Sequence, residues 1–283
     1  MKNPNELDAF SDKIFFIDSH IHLADSSYIP KLDEVISIAE KSNVSALIAN
    51  AENFQTSLVT IDLADRYPDL VFPAIGMHPW YASSTTITEA DDVAALIASK
   101  TEKLVAVGEI GLDKAYAKSV DQMESQVKVL QRMLESAEKS GLPVIIHSRK
   151  SVVEVLEKIV SYNLKKVVLH WFSGPIELVS SIMQKGYYLT FGPSVVYAKH
   201  IRELAKRASD DLILTETDGP VKYHGIFEGK DTFPDFIPIV VKEIADIKRV
   251  KMDEFAFQVV YNNLNVFEKL QCRFASYMRN YGL

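Results

Sequence analysis

The sequence predicts an α/β fold, a single-domain (β/α)8 TIM barrel, and three observations carry that expectation. Eight short runs rich in Val, Ile, Leu and Phe recur with little polar alternation, as strands buried on both faces do. Amphipathic segments with the helical apolar period of about 3.6 separate them, the alternation that wraps helices around a parallel sheet. Side chains suited to binding metal close several runs on the same end, and in such barrels the C-terminal strand ends form the active face.

The strands are expected at Ile14–Ser19, Val44–Ala49, Leu70–Ile75, Leu104–Glu109, Pro143–His147, Lys166–His170, Gly186–Phe191 and Leu212–Glu216. The first opens Ile14-Phe-Phe-Ile, β-branched and aromatic, and the others share its apolar character. Between them, Pro30–Glu40 reads as an amphipathic helix with proline near its start. Asp121–Ser140 is a longer helix, stopped by Gly141 and Pro143. From Pro234 to Leu283 the pattern is helical and supplies closing helices. Residues 1–12 read as a polar arm before a barrel spanning 13–283, with no Gly/Ser-rich linker or repeat to divide it.

Composition narrows the function. The chain has 283 residues, 47% hydrophobic and 24% charged, ordinary for a globular enzyme; barrels of roughly 250 residues form one unit. One cysteine, Cys272, precludes an internal disulfide, so a reducing, cytoplasmic setting is expected. No apolar run approaches the roughly 20 residues of a membrane span, and no membrane or obligate protein partner is expected. The net charge of −7, from 31 Lys+Arg against 38 Asp+Glu, argues against tight duplex reading. It leaves chemistry on nucleic acid open, because bound divalent ions make a site locally positive.

His20 and His22 follow the first run two apart, which directs both imidazoles to one side of an extended chain. Imidazole is the commonest protein ligand for divalent metals. Glu109, His147, His170 and Asp218 close further runs. A carboxylate at the end of a buried run is costly unless paired or bound to metal. Six such groups exceed the four of one tetrahedral ion and suit two ions bridged by Glu109. One would take His20, His22, Glu109 and Asp218; the other would take Glu109, His147 and His170. The mixed nitrogen and oxygen set fits Zn, Mn or Fe, and Mg less naturally. Glu216 is expected behind the ligands, holding a histidine or a water. His200 reads as a solvated helix residue, and His224 as a loop residue or a substrate contact.

Six segments in order resemble the TatD family of metal-dependent hydrolases, many of them deoxyribonucleases on amidohydrolase-like barrels. They are Asp18-Ser-His-Ile-His-Leu23, Gly76-Met-His-Pro79, Gly108-Glu-Ile-Gly-Leu-Asp113, Pro143-Val-Ile-Ile-His-Ser-Arg149, His170-Trp-Phe-Ser-Gly174 and Glu216-Thr-Asp-Gly-Pro220. The resemblance implies the same two ligand sets and adds His78. Three places depart from the family pattern: Trp171 for a common cysteine, Lys114 for a frequent tyrosine, and the Val221–Phe227 loop.

The expected activity is phosphodiester hydrolysis on DNA by a metal-activated water, as an exonuclease on single strands or ends. Asp218 would orient or deprotonate the water, with Glu109, His78 and Arg149 completing the catalytic set. Arg149 suits phosphoryl oxygens, because a guanidinium matches their geometry. Lys222 and Lys114 are further phosphate candidates, and Trp171, Phe172 and Tyr223 are candidates for stacking a base. Two alternatives stand beside it. The same metals could hydrolyse an amide or ester, including an ester on tRNA, a class favoured by a carboxylated bridging lysine. A non-catalytic metal-binding barrel would have lost a ligand, and none is missing.

Overall fold

Each strand pairs parallel with the next in sequence order, around one eight-stranded sheet. The computed structural model describes residues 14–84 and 87–275. Its strands are β1 (Phe16–Ile21), β2 (Val44–Asn50), β3 (Val71–Ile75), β4 (Ala106–Gly111), β5 (Val144–His147), β6 (Val167–Leu169), β7 (Tyr188–Phe191) and β8 (Ile213–Thr215). All eight expected runs are strands. The first begins two residues later than expected, where the Phe16 amide starts the ladder on Asn43 O, and it carries His20 inside the strand.

The helices are α1 (Leu32–Lys41), α2 (Phe54–Arg66), α3 (Pro79–Ala82), α4 (Ile87–Lys100), α5 (Val120–Ser140), α6 (Val152–Ile159), α7 (Val179–Gln184) and α8 (Lys199–Arg207). The tail folds as α9 (Phe236–Lys248), α10 (Met252–Val266) and α11 (Leu270–Arg273). Pro30 falls in a 3-10 turn, Ile29–Lys31, ahead of α1. Ser119 caps α5 by accepting from the Gln122 amide at 3.2 Å, and Gly141 ends it at φ 65°. The polar arm and the last residues of the tail lie outside the described residues. No described helix is long and apolar enough to cross a membrane.

The strand period of two sorts the apolar residues into two cores. Ile17, Ala46, Ile48, Ala74, Ala106, Ile145, Val168 and Leu214 fill one, closed by Phe267, Leu270 and Phe274 of the tail. Phe274 stacks on Phe15 with centroids 5.1 Å apart. Their neighbours Leu47, Val107, Ile146, Leu169 and Ile213 belong to the larger core shared with the helices.

Two irregularities in the ladders bear on the site. Between Asp18 and Ile21, and again between Val107 and Ile110, one strand carries an extra residue against its partner. These bulges hold His20 and Glu109, and a bulge re-aims the side chains it carries. Strands β8 and β1 meet at a seam. There the Asp218 amide donates to His20 O at 2.9 Å and the His22 amide to Gly219 O at 2.8 Å. From α10, Asn262 Nδ2 donates to Ile213 O at 2.8 Å, and Ser19 Oγ donates to Asn263 Oδ1 at 2.9 Å.

Candidate active site

At the C-terminal strand ends, four donor atoms face a common centre. His20 Nε2 lies 3.2 Å from His22 Nε2, 3.2 Å from Glu109 Oε2 and 3.4 Å from Asp218 Oδ1. His22 Nε2 lies 3.3 Å from Glu109 Oε2 and 3.2 Å from Asp218 Oδ1. Donors about 2.0–2.1 Å from a tetrahedral ion stand about 3.3–3.4 Å from one another, so the five distances that involve the two histidines match edges of a tetrahedral metal site. Glu109 Oε2, buried, has no hydrogen-bond partner. A charged oxygen in that state is costly without a cation.

The other oxygen of Glu109 faces a second set. Oε1 lies 2.7 Å from His147 Nδ1, 2.8 Å from His170 Nε2 and 3.3 Å from His78 Nε2. His147 Nδ1 is in turn 3.3 Å from His78 Nε2 and 3.4 Å from His170 Nε2. His78 thus joins His147 and His170 around one oxygen.

Supporting groups fix the rings. His22 Nδ1 meets Asn50 O at 3.1 Å, and His147 Nε2 meets Asp113 Oδ2 at 3.1 Å. Asp113 is itself held by the Ala115 and Tyr116 amides at 2.8 and 2.9 Å and by the indole of Trp80 at 2.7 Å. The Trp80 amide donates to His78 Nδ1 at 3.1 Å, which leaves His78 Nε2 for the cluster. His170 Nδ1 faces Glu216 Oε2 at 3.5 Å, the place expected for Glu216. Outer partners of this kind set the tautomer and the basicity of a ligating imidazole.

Charge in the cluster is strongly biased. Burial would raise the Glu109 carboxyl, but the histidines His170, His78 and His20 outweigh it and hold it well below the usual range. Burial would depress His22, yet the Asp218 and Glu109 carboxylates beside its Nε2 push it well above an ordinary imidazole. His78 goes the other way, its burial bringing it to about 4. A cavity of about 560 Å³ opens over these groups and is also lined by Asp25, Glu52, Trp80, Ser148, Arg149 and Trp171.

The sequence profile of the TatD related DNase family matches residues 17–268. The chain belongs to the TatD family. It is 30% identical over 263 residues to Deoxyribonuclease TATDN3 of Homo sapiens, covering 90% of this chain and 95% of that one. It is also 30% identical over 254 residues to the metal-dependent hydrolase YabD of Bacillus subtilis, covering 88% of this chain and 98% of that one. The crystal structure of YjjV, a TatD homologue from Escherichia coli, superposes with a TM-score of 0.83 at 26% identity, over 89% of this chain and 98% of that one.

Each of the six TatD segments places a residue in the cavity or directly behind it. The substrate candidates divide. Arg149 and Trp171 line the cavity, and the Arg149 guanidinium has no ion-pair partner among the described residues. Phe172 does not: it is 0% exposed, packed in the helix-facing core, and cannot stack on a base. Tyr223 is 4% exposed, with its hydroxyl donated to Thr217 O at 2.7 Å, so its ring is structural. Lys114 pairs with Glu154, and Lys222 pairs with Asp231 beside a neighbouring hollow. Neither lysine reaches the cavity lining, because a nearby carboxylate captures each ammonium. His200 is exposed on α8, with Nε2 at 3.0 Å from Gly174 O, and His224 lies against Tyr197 away from the cavity.

Sequence reasoning missed Asp113, Trp80, Asn50 and Glu52. Asp113 closes one family segment and Trp80 directly follows another, so their position was a signal. Glu52 offered none: it stands at the β2–α2 turn, and burial raises its carboxyl while the charge of His22 opposes.

Proposed function

We propose that this TatD-family protein hydrolyses phosphodiester bonds of DNA with two divalent ions that share Glu109. The observation that carries the reading is the split of that carboxylate: Oε2 faces His20 and His22, and Oε1 faces His147 and His170. His20, His22, Glu109 and Asp218 would hold one ion; Glu109, His147, His170 and His78 would hold the other. Such ions, when bound, make water acidic at neutral pH and neutralise charge on phosphoryl oxygens.

The chain's own residues do the rest. Asp218, at the cavity floor, orients the attacking water and accepts its proton. Arg149, exposed at the rim, meets a phosphoryl oxygen through its planar fork. Asp113 keeps His147 in one orientation, and the Glu216 carboxylate stands 3.5 Å from His170 Nδ1. The names of relatives support the substrate: TATDN3 is a deoxyribonuclease. Among the described residues no lysine lines the cavity, so the carboxylated lysine that would favour an amide-hydrolysing site has no source. The net charge of −7 favours single strands or ends over duplex grip, and the free Cys272 suits the cytoplasm.

The test is metal analysis of the purified protein with a chelator-sensitive assay on end-labelled single-stranded DNA. Two ions per chain, with cleavage restored by Zn, Mn or Mg and lost in His20→Ala, is the expected result. Metal without cleavage of any oligonucleotide overturns the substrate.

A further inference from the structure

Trp80 is an aromatic side chain that the catalytic scheme above does not use. It follows the Gly76–Pro79 segment, lines the cavity beside Arg149 and is 39% exposed. Its position is fixed by three contacts. The indole N–H donates to Asp113 Oδ2 at 2.7 Å, and the ring meets His78 edge-on with centroids 4.8 Å apart at 82°. It also stacks on Tyr116, with centroids 5.5 Å apart and planes 22° from parallel. Tyr116 is itself 42% exposed. A large ring held in one orientation at the rim loses little freedom when something flat lies on it.

We propose that Trp80, backed by Tyr116, is the stacking platform for an unpaired nucleobase next to the phosphate held at the donor cluster. This rests on the phosphodiester reading above and names the subsite that selects single strands and frayed ends. A base within a duplex has both faces covered by its neighbours, whereas an unpaired base offers a face to an aromatic shelf. Every base has such a face, so the contact is tolerant of sequence. It is also insensitive to the acidic surface, which opposes binding through phosphate alone. Of the three rings expected for this task from the sequence, Phe172 and Tyr223 are buried, whereas Trp171 lines the cavity.

The chain has two tryptophans, Trp80 and Trp171, so Trp171→Phe leaves Trp80 as the only indole reporter. With the metal-loaded full chain, a short phosphorothioate-linked single strand is expected to quench that emission saturably, and a blunt duplex to quench it far less. In steady-state assays Trp80→Ala and Tyr116→Ala raise KM for single-stranded DNA, about tenfold or more for Trp80→Ala, with a smaller change in kcat. Trp80→Phe keeps a stacking face and holds KM within about threefold. Should Trp80→Ala fail to fold, the quenching and the Tyr116→Ala and Trp80→Phe kinetics decide. Wild-type cleavage with no quenching and an unchanged KM in the folded variants overturns the platform alone. Absence of cleavage by the wild type overturns the underlying phosphodiester reading instead.

Discussion

Asp18 grips Thr217 across the seam between β1 and β8: Oδ1 accepts the Thr217 amide at 2.9 Å, and Oδ2 accepts its hydroxyl at 2.5 Å. Thr217 precedes Asp218, and Asp18 stands two residues before His20. One buried carboxyl therefore ties His20 on the first strand to Asp218 just past the last. Asp18→Ala leaves both Thr217 donors unpaired and should cost about 2–4 kcal/mol, read as a lowered urea midpoint. Metal affinity should fall with it, measured by competition with a chromogenic chelator.

Two glycines separate backbone strain from steric collision. At Gly141 (φ 65°) an added Cβ meets nothing within 4 Å, so Gly141→Ala should cost only about 1–2 kcal/mol and leave activity intact. At Gly111 (φ 151°) the same atom would sit 2.0 Å from His147 O. Gly111→Ala must displace β5 at His147, and activity should drop much further than stability alone explains. Thermal melts and turnover on the two variants check the contrast.

Glu109→Gln and His147→Ala should differ in metal content. The first removes the charge shared by both donor sets, and both ions should be lost. The second removes one donor of one set, and a single ion should remain. Plasma emission spectrometry of the dialysed proteins reads this directly. Chelation of the wild type should lower its melting point, since ion at about 100 times its Kd stabilises by about 2.7 kcal/mol per site.

Asp113→Asn keeps the size of the side chain but removes the charge behind His147 Nε2. A change of this kind commonly costs about 10–100-fold in metal affinity. The loss should fall on the set containing His147, with the set around His20 and His22 unaffected. Isothermal titration with Zn resolving two steps would show the weaker one shifted.

The Asp231 carboxyl is held down at about 2 by Lys222 and Lys31. Its native value lies below the ordinary 3.8, so the pairing stabilises the fold above 3.8 and is lost as pH falls through about 2. Asp231→Asn should be slightly less stable than wild type at neutral pH, and the two should converge in strong acid. The difference should shrink in high salt, because all three groups are well exposed.

The barrel and the potential donors at its strand ends were legible because their signals are local. A strand buried on both faces must be apolar throughout, and a polar residue at its end is then conspicuous: Glu109 closes Leu104-Val-Ala-Val-Gly, and Asp218 follows Leu212-Ile-Leu-Thr. The substrate candidates were less legible because exposure is a nonlocal property. Phe172 and Trp171 are adjacent, yet one turns into the core and the other lines the cavity. Lys114 and Lys222 stand near site segments, but partners 40 and nine positions away, Glu154 and Asp231, take their charges.

What the sequence determined by itself is the period of the fold and the chemistry at each strand end. The alternation of runs demands eight strands, and the residues closing them are ones that bind divalent ions. Only the tertiary structure decided which atom faces which. It assigned Oε2 of Glu109 to one pair of histidines and Oε1 to another, brought His78 among them, and set Trp80 at the rim through Asp113. The physical reason is that a bulge or a side-chain contact between distant strands moves donors by ångströms. Coordination is decided on that scale, and hydrophobic pattern carries no information there.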